Sequence, residues 1–443
     1  MLQYSSNLSE VMGKRPSVLR ATNFKKFHKV GIRLVTISIF ALISSMTIEL
    51  YSQTATLDPA FGLNGMTIIP NTTDMEFFDF DAYGNIIAVG YTRIDTTKKT
   101  VFHMTIVKTN ADGIVDENFG IHGIVKVTDY DDSMPYGMKI TKDNKIVVVG
   151  VLKRKLNALS DSIYIMRFNE NGTIDEGFGD NGRVFLFIGY IRLLNMESDD
   201  FMLIEKTYFR DDYLYPYYVK YNYEGAIDVT FGENGKIYLP DSVYPFCIKL
   251  LNNGSIIFAG VYCKEININI ELGFCKITPA GVLDTNFAND GIWHKNIMQE
   301  YNYKHEHFYN VIEDNNGNLI LSGVGLKHRL EWDHSAFLSK FSPNGVLDTS
   351  FGENGFYCFD FGECIRPIFH VGNEYITAGW FDFDADRLIY VHEDGSYGNY
   401  IYYMSRLFFL KDMKLQGNNK IIIGGIYKTE GLYSKFALKR VVF

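Results

Sequence analysis

The sequence predicts an all-β protein, a seven-bladed β-propeller of four-stranded antiparallel blades whose ring is closed by the N-terminal strand. Three observations support this prediction. A short motif recurs six times, an apolar strand recurs seven times and usually ends in glycine, and tight-turn signals separate the strands. Self-similarity at a fixed period indicates a repeat architecture, and it constrains the fold before any single residue does.

The recurring motif is an aliphatic residue, an aspartate, two variable residues, a phenylalanine and a glycine, with a second glycine three positions later. Its copies begin at Leu57, Val115, Ile174, Ile227, Leu283 and Leu347. The aspartate suits a cap or Asx-turn, and the glycine can adopt positive φ and end the turn. We therefore predict structural roles, rather than ligand or acid roles, for Asp58, Phe61, Gly62, Asp116, Phe119, Gly120, Asp175, Phe178, Gly179, Asp228, Phe231, Gly232, Asp284, Phe287, Asp348, Phe351 and Gly352. In the fifth copy Ala288 replaces the motif glycine.

The apolar strands are nearly continuous runs of Ile, Val and Leu, which is typical of strands buried on both faces. They lie at 85–90, 145–150, 201–205, 255–260, 318–323, 374–379 and 420–425, and the third copy is degenerate. An alternating strand follows each of them and usually ends in Asn-Gly or Asp-Gly, which signals a tight turn. Each unit of roughly 56 residues thus holds four short strands, the content of a propeller blade. Seven buried strands predict seven blades.

The two ends of the repeat region complement each other. The first unit begins with an unaccompanied motif and strand at 57–70, and the last unit, 407–443, holds three strands. Pairing the N-terminal strand with the last unit would complete that blade and protect an exposed edge. An open β-solenoid is the alternative architecture, and it would need dedicated caps.

Residues 1–56 lie outside the repeats and form a signal peptide or an N-terminal anchor with a basic leader. Seven basic residues precede the apolar run Leu34–Met46, and polar residues follow it. This is the layout of a signal peptide, although the basic region is long. We favour cleavage near Ser52, which would leave no membrane span in the mature form. The alternative is that the segment stays as a membrane anchor, for which its apolar run is short.

Charge and cysteine content narrow the classes of partner. The net charge is −9, and removing residues 1–52, with seven basic and two acidic side chains, leaves −14. An acidic surface argues against nucleic acid as a partner. The five cysteines contain no C-x-x-C pair, so no metal site and no cofactor are predicted, and their disulfide pairing is left open. His305 and His307 are two apart on a strand but lack an identifiable third ligand.

The motif and the glycine-ended strand together resemble the delta-60 repeat, a β-propeller repeat of exported bacterial proteins. The resemblance covers about residues 57–443. It implies a secreted or cell-surface location, the periplasm included, and a binding role. The resemblance supplies no established catalytic residues.

The candidate ligand-binding residues are the tyrosines of the densest aromatic cluster, because tyrosines on one rim offer contact area with a polar tip. They are Tyr213, Tyr215, Tyr217, Tyr221 and Tyr223. The alternative for this cluster is ordinary cross-strand packing. For the protein, we expect a secreted binding or scaffold protein that recognises a glycan or an extracellular protein through blade loops on one face. The alternative is a glycan hydrolase or lyase with carboxylates at a central channel.

The leader assignment predicts the mature N-terminus. N-terminal sequencing of the exported protein should find a start near Gln53, because the polar residues after the apolar run offer the cleavage site. An exported protein that begins at or near Met1 would instead indicate a retained anchor.

Overall fold

The computed structural model describes residues 55–95, 99–130, 132–153, 162–188, 194–210, 213–263, 270–297, 306–326, 334–359, 363–381, 385–403, 407–428 and 434–443. Over these ranges the chain is built from β-strands and turns, with no helix, so the predicted all-β class is confirmed. The compact unit that holds them spans Ser52–Phe443. The predicted leader lies outside the described residues except for its last two positions, and it stays a prediction.

The strands follow one another in the order β1 (Thr56–Leu57), β2 (Met66–Ile69), β3 (Asp74–Phe80), β4 (Ile86–Asp95), β5 (Thr100–Thr109), β6 (Ile124–Lys126), β7 (Asp132–Ile140), β8 (Ile146–Lys153), β9 (Ser162–Phe168), β10 (Arg183–Ile188), β11 (Leu194–Asn195), β12 (Phe201–Arg210), β13 (Tyr213–Asn222), β14 (Lys236–Tyr238), β15 (Val243–Leu250), β16 (Ile256–Tyr262), β17 (Glu271–Ile277), β18 (Ile292–Lys295), β19 (Glu306–Glu313), β20 (Leu319–Leu326), β21 (His334–Phe341), β22 (Phe356–Cys358), β23 (Glu363–Val371), β24 (Glu374–Phe381), β25 (Ala385–His392), β26 (Tyr397–Tyr403), β27 (Phe408–Leu415), β28 (Lys420–Lys428) and β29 (Ser434–Val442).

These strands form antiparallel sets in which neighbours along the chain are neighbours in the sheet. Four separate four-stranded sheets are β11–β14, β15–β18, β19–β22 and β23–β26. Strands β3–β6 and β7–β10 form two further sets, joined by one parallel bridge between Phe102 and Asp132. Strands β27–β29 form the remaining set, in which β29 also pairs with β1 and β2. Repeated four-stranded antiparallel sheets are consistent with a propeller.

The second strand of each set is the predicted apolar strand, and the core lies between consecutive sets. Ile87 and Val89 of β4 belong to one buried cluster with Met138 of β7 and Val148 of β8. The first strand of each set, here called the inner strand, packs against the next one. This holds for β3, β7, β11, β15, β19, β23 and β27 in turn, and β27 packs against β3. Each apolar strand is therefore buried on both faces by its neighbours.

The motif copies have a common geometry. The Asp58 carboxylate accepts the backbone N–H of Ala60 at 3.0 Å, and Asp116, Asp228, Asp284 and Asp348 accept the N–H two residues on in the same way. The phenylalanine of every copy is buried. Burying one such side chain stabilises the fold by about 2–3 kcal/mol.

The motif also connects one set to the next. Its glycine adopts a left-handed conformation, with φ of 54° at Gly62, and its N–H donates to the turn of the following set. The donor and acceptor pairs are Gly62 with Asp112, Gly120 with Asn171, Gly232 with Ala280, Ala288 with Asn344, and Gly352 with Asp394. Ala288 adopts the same conformation, with φ of 51°, because it makes the same bond. A non-glycine residue there costs roughly 1–2 kcal/mol.

The N-terminal motif is completed by the C-terminal strand. In the other copies the aspartate N–H donates to the carbonyl eight residues earlier, as Asp175 does to Arg167 at 2.9 Å. The Asp58 N–H instead donates to the carbonyl of Arg440 on β29, at 2.8 Å. Strand β2 pairs with β29 in antiparallel register, with Ile69 opposite Phe436. The first two described strands, β1 and β2, therefore share one sheet with the last strand, β29.

Arg440 is the most heavily bonded cation at this junction. Its buried guanidinium donates to the Asp58 carboxylate at 2.8 Å, to the Ala111 carbonyl at 2.9 Å and to the Asp112 carboxylate at 2.9 Å, and it lies over the Phe61 ring. Burial by itself would raise the pKa of Asp58, but the Ala60 N–H and the Arg440 charge outweigh it and lower that pKa below its usual value.

Replacing this cation tests the junction. Arg440→Met should lower the free energy of unfolding by about 3 kcal/mol, because it removes the buried guanidinium from the Asp58 carboxylate and leaves the more exposed Lys420 ammonium at 3.4 Å. The matched control is Lys220→Met, which breaks the more exposed pair with Asp228 inside a continuous set and should cost about 1 kcal/mol. Urea unfolding at neutral pH measures both.

Lowering the pH should reduce the difference in unfolding free energy between the Arg440→Met and Lys220→Met variants. The folded-state pKa of Asp58 lies below its unfolded value, so this stabilisation is present above about pH 4 and is lost as the pH falls through the folded pKa. Equal small losses for the two variants at every pH would show that the shared sheet contributes little.

Candidate functional site

Five inner strands contain a β-bulge at equivalent places. The register shifts between Met75 and Phe77, and correspondingly in β7, β15, β19 and β27. The extra residues, here called the bulge positions, are Glu76, Tyr136, Phe246, Tyr309 and Lys411. A bulge leaves one residue outside the regular pairing and turns its side chain in a new direction, which is why bulges recur next to binding sites.

The glycine at the end of the predicted apolar run lies inside the observed strand, as Gly90 does in β4, and in five sets it makes room for the bulge. In all five sets this glycine pairs with the residue just before the bulge position, as Gly260 does with Pro245. A Cβ at Gly260 would lie 2.3 Å from the carbonyl oxygen of Tyr244, and one at Gly90 would lie 2.1 Å from that of Asp74. No side chain fits such a close approach of two backbones.

The third set differs at this place. Its apolar strand has Glu205 where the others have glycine, and the inner-strand residues opposite Glu205 lie outside the described part of the chain. The Glu205 side chain is buried and accepts the hydroxyl of Tyr218 at 2.9 Å. In the five sets with a described bulge of this kind, a glycine lies opposite it. The recurring glycine is visible in the sequence, but the pattern of one strand does not reveal a bulge on the neighbouring strand.

Two bulge positions build an aromatic cluster on β15 and β19. The ring of Phe246 lies 4.8 Å from that of His307, and the ring of His307 lies 4.2 Å from that of Tyr309, measured between centroids. Phe246 is 41% exposed and Tyr309 is 37% exposed, whereas Phe308 between His307 and Tyr309 is fully buried. We call Phe246, His307 and Tyr309 the inner aromatic cluster.

The other bulge positions are more polar. The Lys411 ammonium on β27 lies 2.9 Å and 3.1 Å from the two carboxylate oxygens of Glu76 on β3, so the pair links two neighbouring inner strands. Tyr136 on β7 is 37% exposed. The one carboxylate and the one ammonium among the five bulge positions cancel in charge.

Further ion pairs involve the residues three positions after the bulge positions, about 10 Å along each strand. The ammonium of Lys414 lies 3.4 Å from the carboxylate of Asp79, that of Lys139 lies 2.9 Å from Asp199, and that of Lys249 lies 2.9 Å from Glu197. Each pair joins residues of two consecutive sets. The carboxylates of Asp79, Asp199 and Glu197 are therefore each paired with a lysine.

Asp412 and Lys414 are two inner-strand residues whose pKa is shifted from its usual value. Burial raises the pKa of Asp412, although the Lys414 charge and the N–H groups of Phe78 and Met413 act against it. Burial acts to lower the pKa of Lys414, but Asp412 and Asp79 outweigh it and raise that pKa. Lys414 therefore remains an ammonium at neutral pH, and Asp412 is the inner carboxyl best suited to hold a proton.

Three members of the predicted tyrosine cluster have described side chains, and two of these three are buried. Tyr221 and Tyr223 are 3% and 7% exposed, and the Tyr223 hydroxyl donates to the Ser198 carbonyl at 2.8 Å. Burial raises the pKa of Tyr221 to about 12. Tyr217 is half-buried and stacks on Tyr238 at 5.7 Å. The side chains of Tyr213 and Tyr215 lie outside the described residues, so the platform as a whole stays a prediction.

The described residues contain no group of three or more His, Cys, Asp or Glu side chains placed to hold a metal ion, and the side chain of His305 lies outside them. They also contain no helix of the length and apolarity that a membrane crossing needs. Cys275 carries a buried thiol whose pKa is raised by burial to about 12.

Comparison with known families supports the propeller. A family model described as "Domain of unknown function (DUF5122) beta-propeller" matches residues 141–178. This stretch contains the apolar strand β8, the alternating strand β9 and the motif that ends at Phe178. The match supports a β-propeller family, while the delta-60 name rests on the motifs alone. Among curated proteins no sequence relative was found.

Among solved structures the chain is similar to Drosophila Semaphorin 2a, with a TM-score of 0.47 and 8% identity over 85% of this chain and 74% of that one. It is also similar to the acylaminoacyl peptidase of Pyrococcus horikoshii, with a TM-score of 0.45 and 10% identity over 83% of this chain and 51% of that one. The chain thus spans about half the length of the peptidase. A protein of unknown function from Dyadobacter fermentans has a TM-score of 0.40 and 11% identity, over 86% of this chain and 99% of that one. These distant similarities carry no information about activity.

The link between glycine and bulge can be tested directly. Gly260→Ala should lower the free energy of unfolding by about 3 kcal/mol, because the new Cβ would overlap the Tyr244 carbonyl and the inner strand would have to move. Gly177→Ala is the control, since its Cβ meets only the Asp175 carboxylate at 3.5 Å, and it should change stability by less than about 0.5 kcal/mol. Chemical denaturation measures both. Equal stabilities would mean that the bulge does not need the glycine.

Proposed function

We propose that the protein is a secreted binding protein built as a seven-bladed propeller whose ring is closed by the N-terminal strand. The order of packing supports the ring, since each inner strand contacts the next and β27 contacts β3. The pairing of β2 with β29 supports closure by the N-terminus. A single sheet cannot bury both faces of its apolar strand, whereas a closed ring of sheets can.

The observation that carries the binding role is the contrast between motif and bulge positions. The motif uses the same residue types in nearly every set, which suits a shared framework. The bulges repeat the same backbone deviation but present a carboxylate, a phenol, a phenyl ring, a second phenol and an ammonium. A common scaffold that displays different side chains at one level of the inner strands is suited to recognising a ligand.

The proposed partner is a glycan or an extracellular protein. The basic leader and its apolar run support export, and the acidic remainder disfavours nucleic acid. Exposed aromatic side chains beside polar groups suit recognition of carbohydrate or peptide, because the rings give contact area and the polar groups give orientation.

An enzyme is the second candidate. Asp412 favours it, because a carboxyl with a raised pKa on an inner strand could serve as a general acid. The lysine partners of Asp79, Glu76 and Glu197 count against it, since an ion-paired carboxylate is a weak nucleophile or base. We therefore place binding first.

A binding protein would release a bound glycan chemically unchanged, whereas a glycan-cleaving enzyme would release products. The exported protein, incubated with a broad panel of glycans, should retain a subset of them and release them chemically unchanged, as read by mass spectrometry. Cleavage that is lost in Asp412→Asn would establish the enzyme instead. Asp95→Asn, an exposed carboxylate paired with Arg93, is the matched control for that substitution.

A further inference from the structure

We infer that the inner aromatic cluster is a stacking subsite for an uncharged sugar ring. This inference rests on the proposed binding function and gives it a location and a ligand class. It places recognition on two inner strands, β15 and β19, rather than on the tyrosines of β13. The cluster consists of Phe246, His307 and Tyr309.

Exposure is the first argument. The largest side chains of the core, such as Phe258, Phe274 and Phe337, are fully buried, as expected for aromatic residues in strands. Phe246 and Tyr309 keep about two fifths of their surface exposed although they lie on inner strands. Both occupy bulge positions, so the backbone itself turns them away from the core.

Ring geometry is the second argument. Phe246 and His307 are inclined at 37°, and His307 and Tyr309 at 66°, so the three rings form a continuous angled surface across two strands. One face of a pyranose ring presents C–H groups that pack on aromatic faces, while its hydroxyls need donors and acceptors at the edge. The imidazole nitrogens of His307 and the hydroxyl of Tyr309 are such edge groups.

The charge of the protein is the third argument, and it favours a neutral sugar over an anionic one. Glu76 and Lys411 cancel each other among the bulge positions, and the chain as a whole carries a net charge of −9. None of the three side chains of the cluster is a lysine or an arginine, so a uronic acid or a sulfated sugar would approach an acidic protein without an ammonium or guanidinium from the cluster. A neutral hexose, pentose or N-acetylhexosamine unit meets no such repulsion.

The experiment uses the full exported protein and immobilised neutral gluco-, manno-, xylo- and chito-oligosaccharides, with uronic-acid and sulfated oligosaccharides beside them. The tightest neutral oligosaccharide is then titrated calorimetrically against variants. Phe246→Leu and Tyr309→Leu remove the ring faces but keep apolar volume, and each should weaken binding roughly tenfold. Phe246→Trp keeps an aromatic face and should bind within about threefold of the parent protein.

Phe185→Leu is the matched control. Phe185 is 50% exposed but lies on the fourth strand of its set, β10, so its replacement should leave binding unchanged. The thermal unfolding midpoint of every variant separates a lost subsite from a lost fold, and Phe246→Trp provides a second, folded readout.

Each outcome of these binding measurements either supports or overturns the stacking subsite. Selective loss in Phe246→Leu and Tyr309→Leu supports the subsite. Neutral-sugar binding that is unchanged in both variants overturns the subsite and leaves the proposed binding function standing. Parent protein that binds no neutral oligosaccharide, or only charged ones, also overturns it, and a demonstrated extracellular protein partner would then keep the broader function.

Discussion

The structure depends on one constraint: the second strand of each sheet is apolar on both faces and needs a neighbouring sheet on each side. Ile87 and Val89 of β4 are buried against the next set, and Ile86 and Ala88 of the same strand are buried against β29 and its partners. No set can satisfy this requirement alone. The order of the sheets, the sheet that β2 shares with β29 and the buried Arg440 all serve to supply the missing neighbour.

Two kinds of glycine have separate tasks in this arrangement. The motif glycine, as at Gly62, adopts a left-handed conformation and ties one set to the turn of the next. The glycine opposite the bulge, as at Gly260, lets the inner strand bulge toward it. The first task makes the sets alike. The second allows them to differ, because each bulge turns a different side chain out of the regular strand pairing.

Much of the fold could be predicted from the sequence because it depends on local chemistry repeated many times. The Asx-turn at Asp58, the buried Phe61 and the apolar run of β4 follow from residue type and spacing. The candidate site could not be predicted in the same way. Tyr221 and Phe246 are both aromatic residues in strands, and alternation does not reveal that Tyr221 faces a neighbouring sheet while Phe246 sits at a bulge.

The sequence by itself determined the all-β class, the repeat unit, the turn residues and the pairing partner expected for the N-terminal strand. Each of these depends on contacts within a few residues or on a pattern that recurs. Only the tertiary structure decided which side chains are exposed together. The register shift opposite Gly323 and the approach of β15 to β19 bring Phe246, His307 and Tyr309 into contact, and such contacts depend on how two sheets pack rather than on either strand alone.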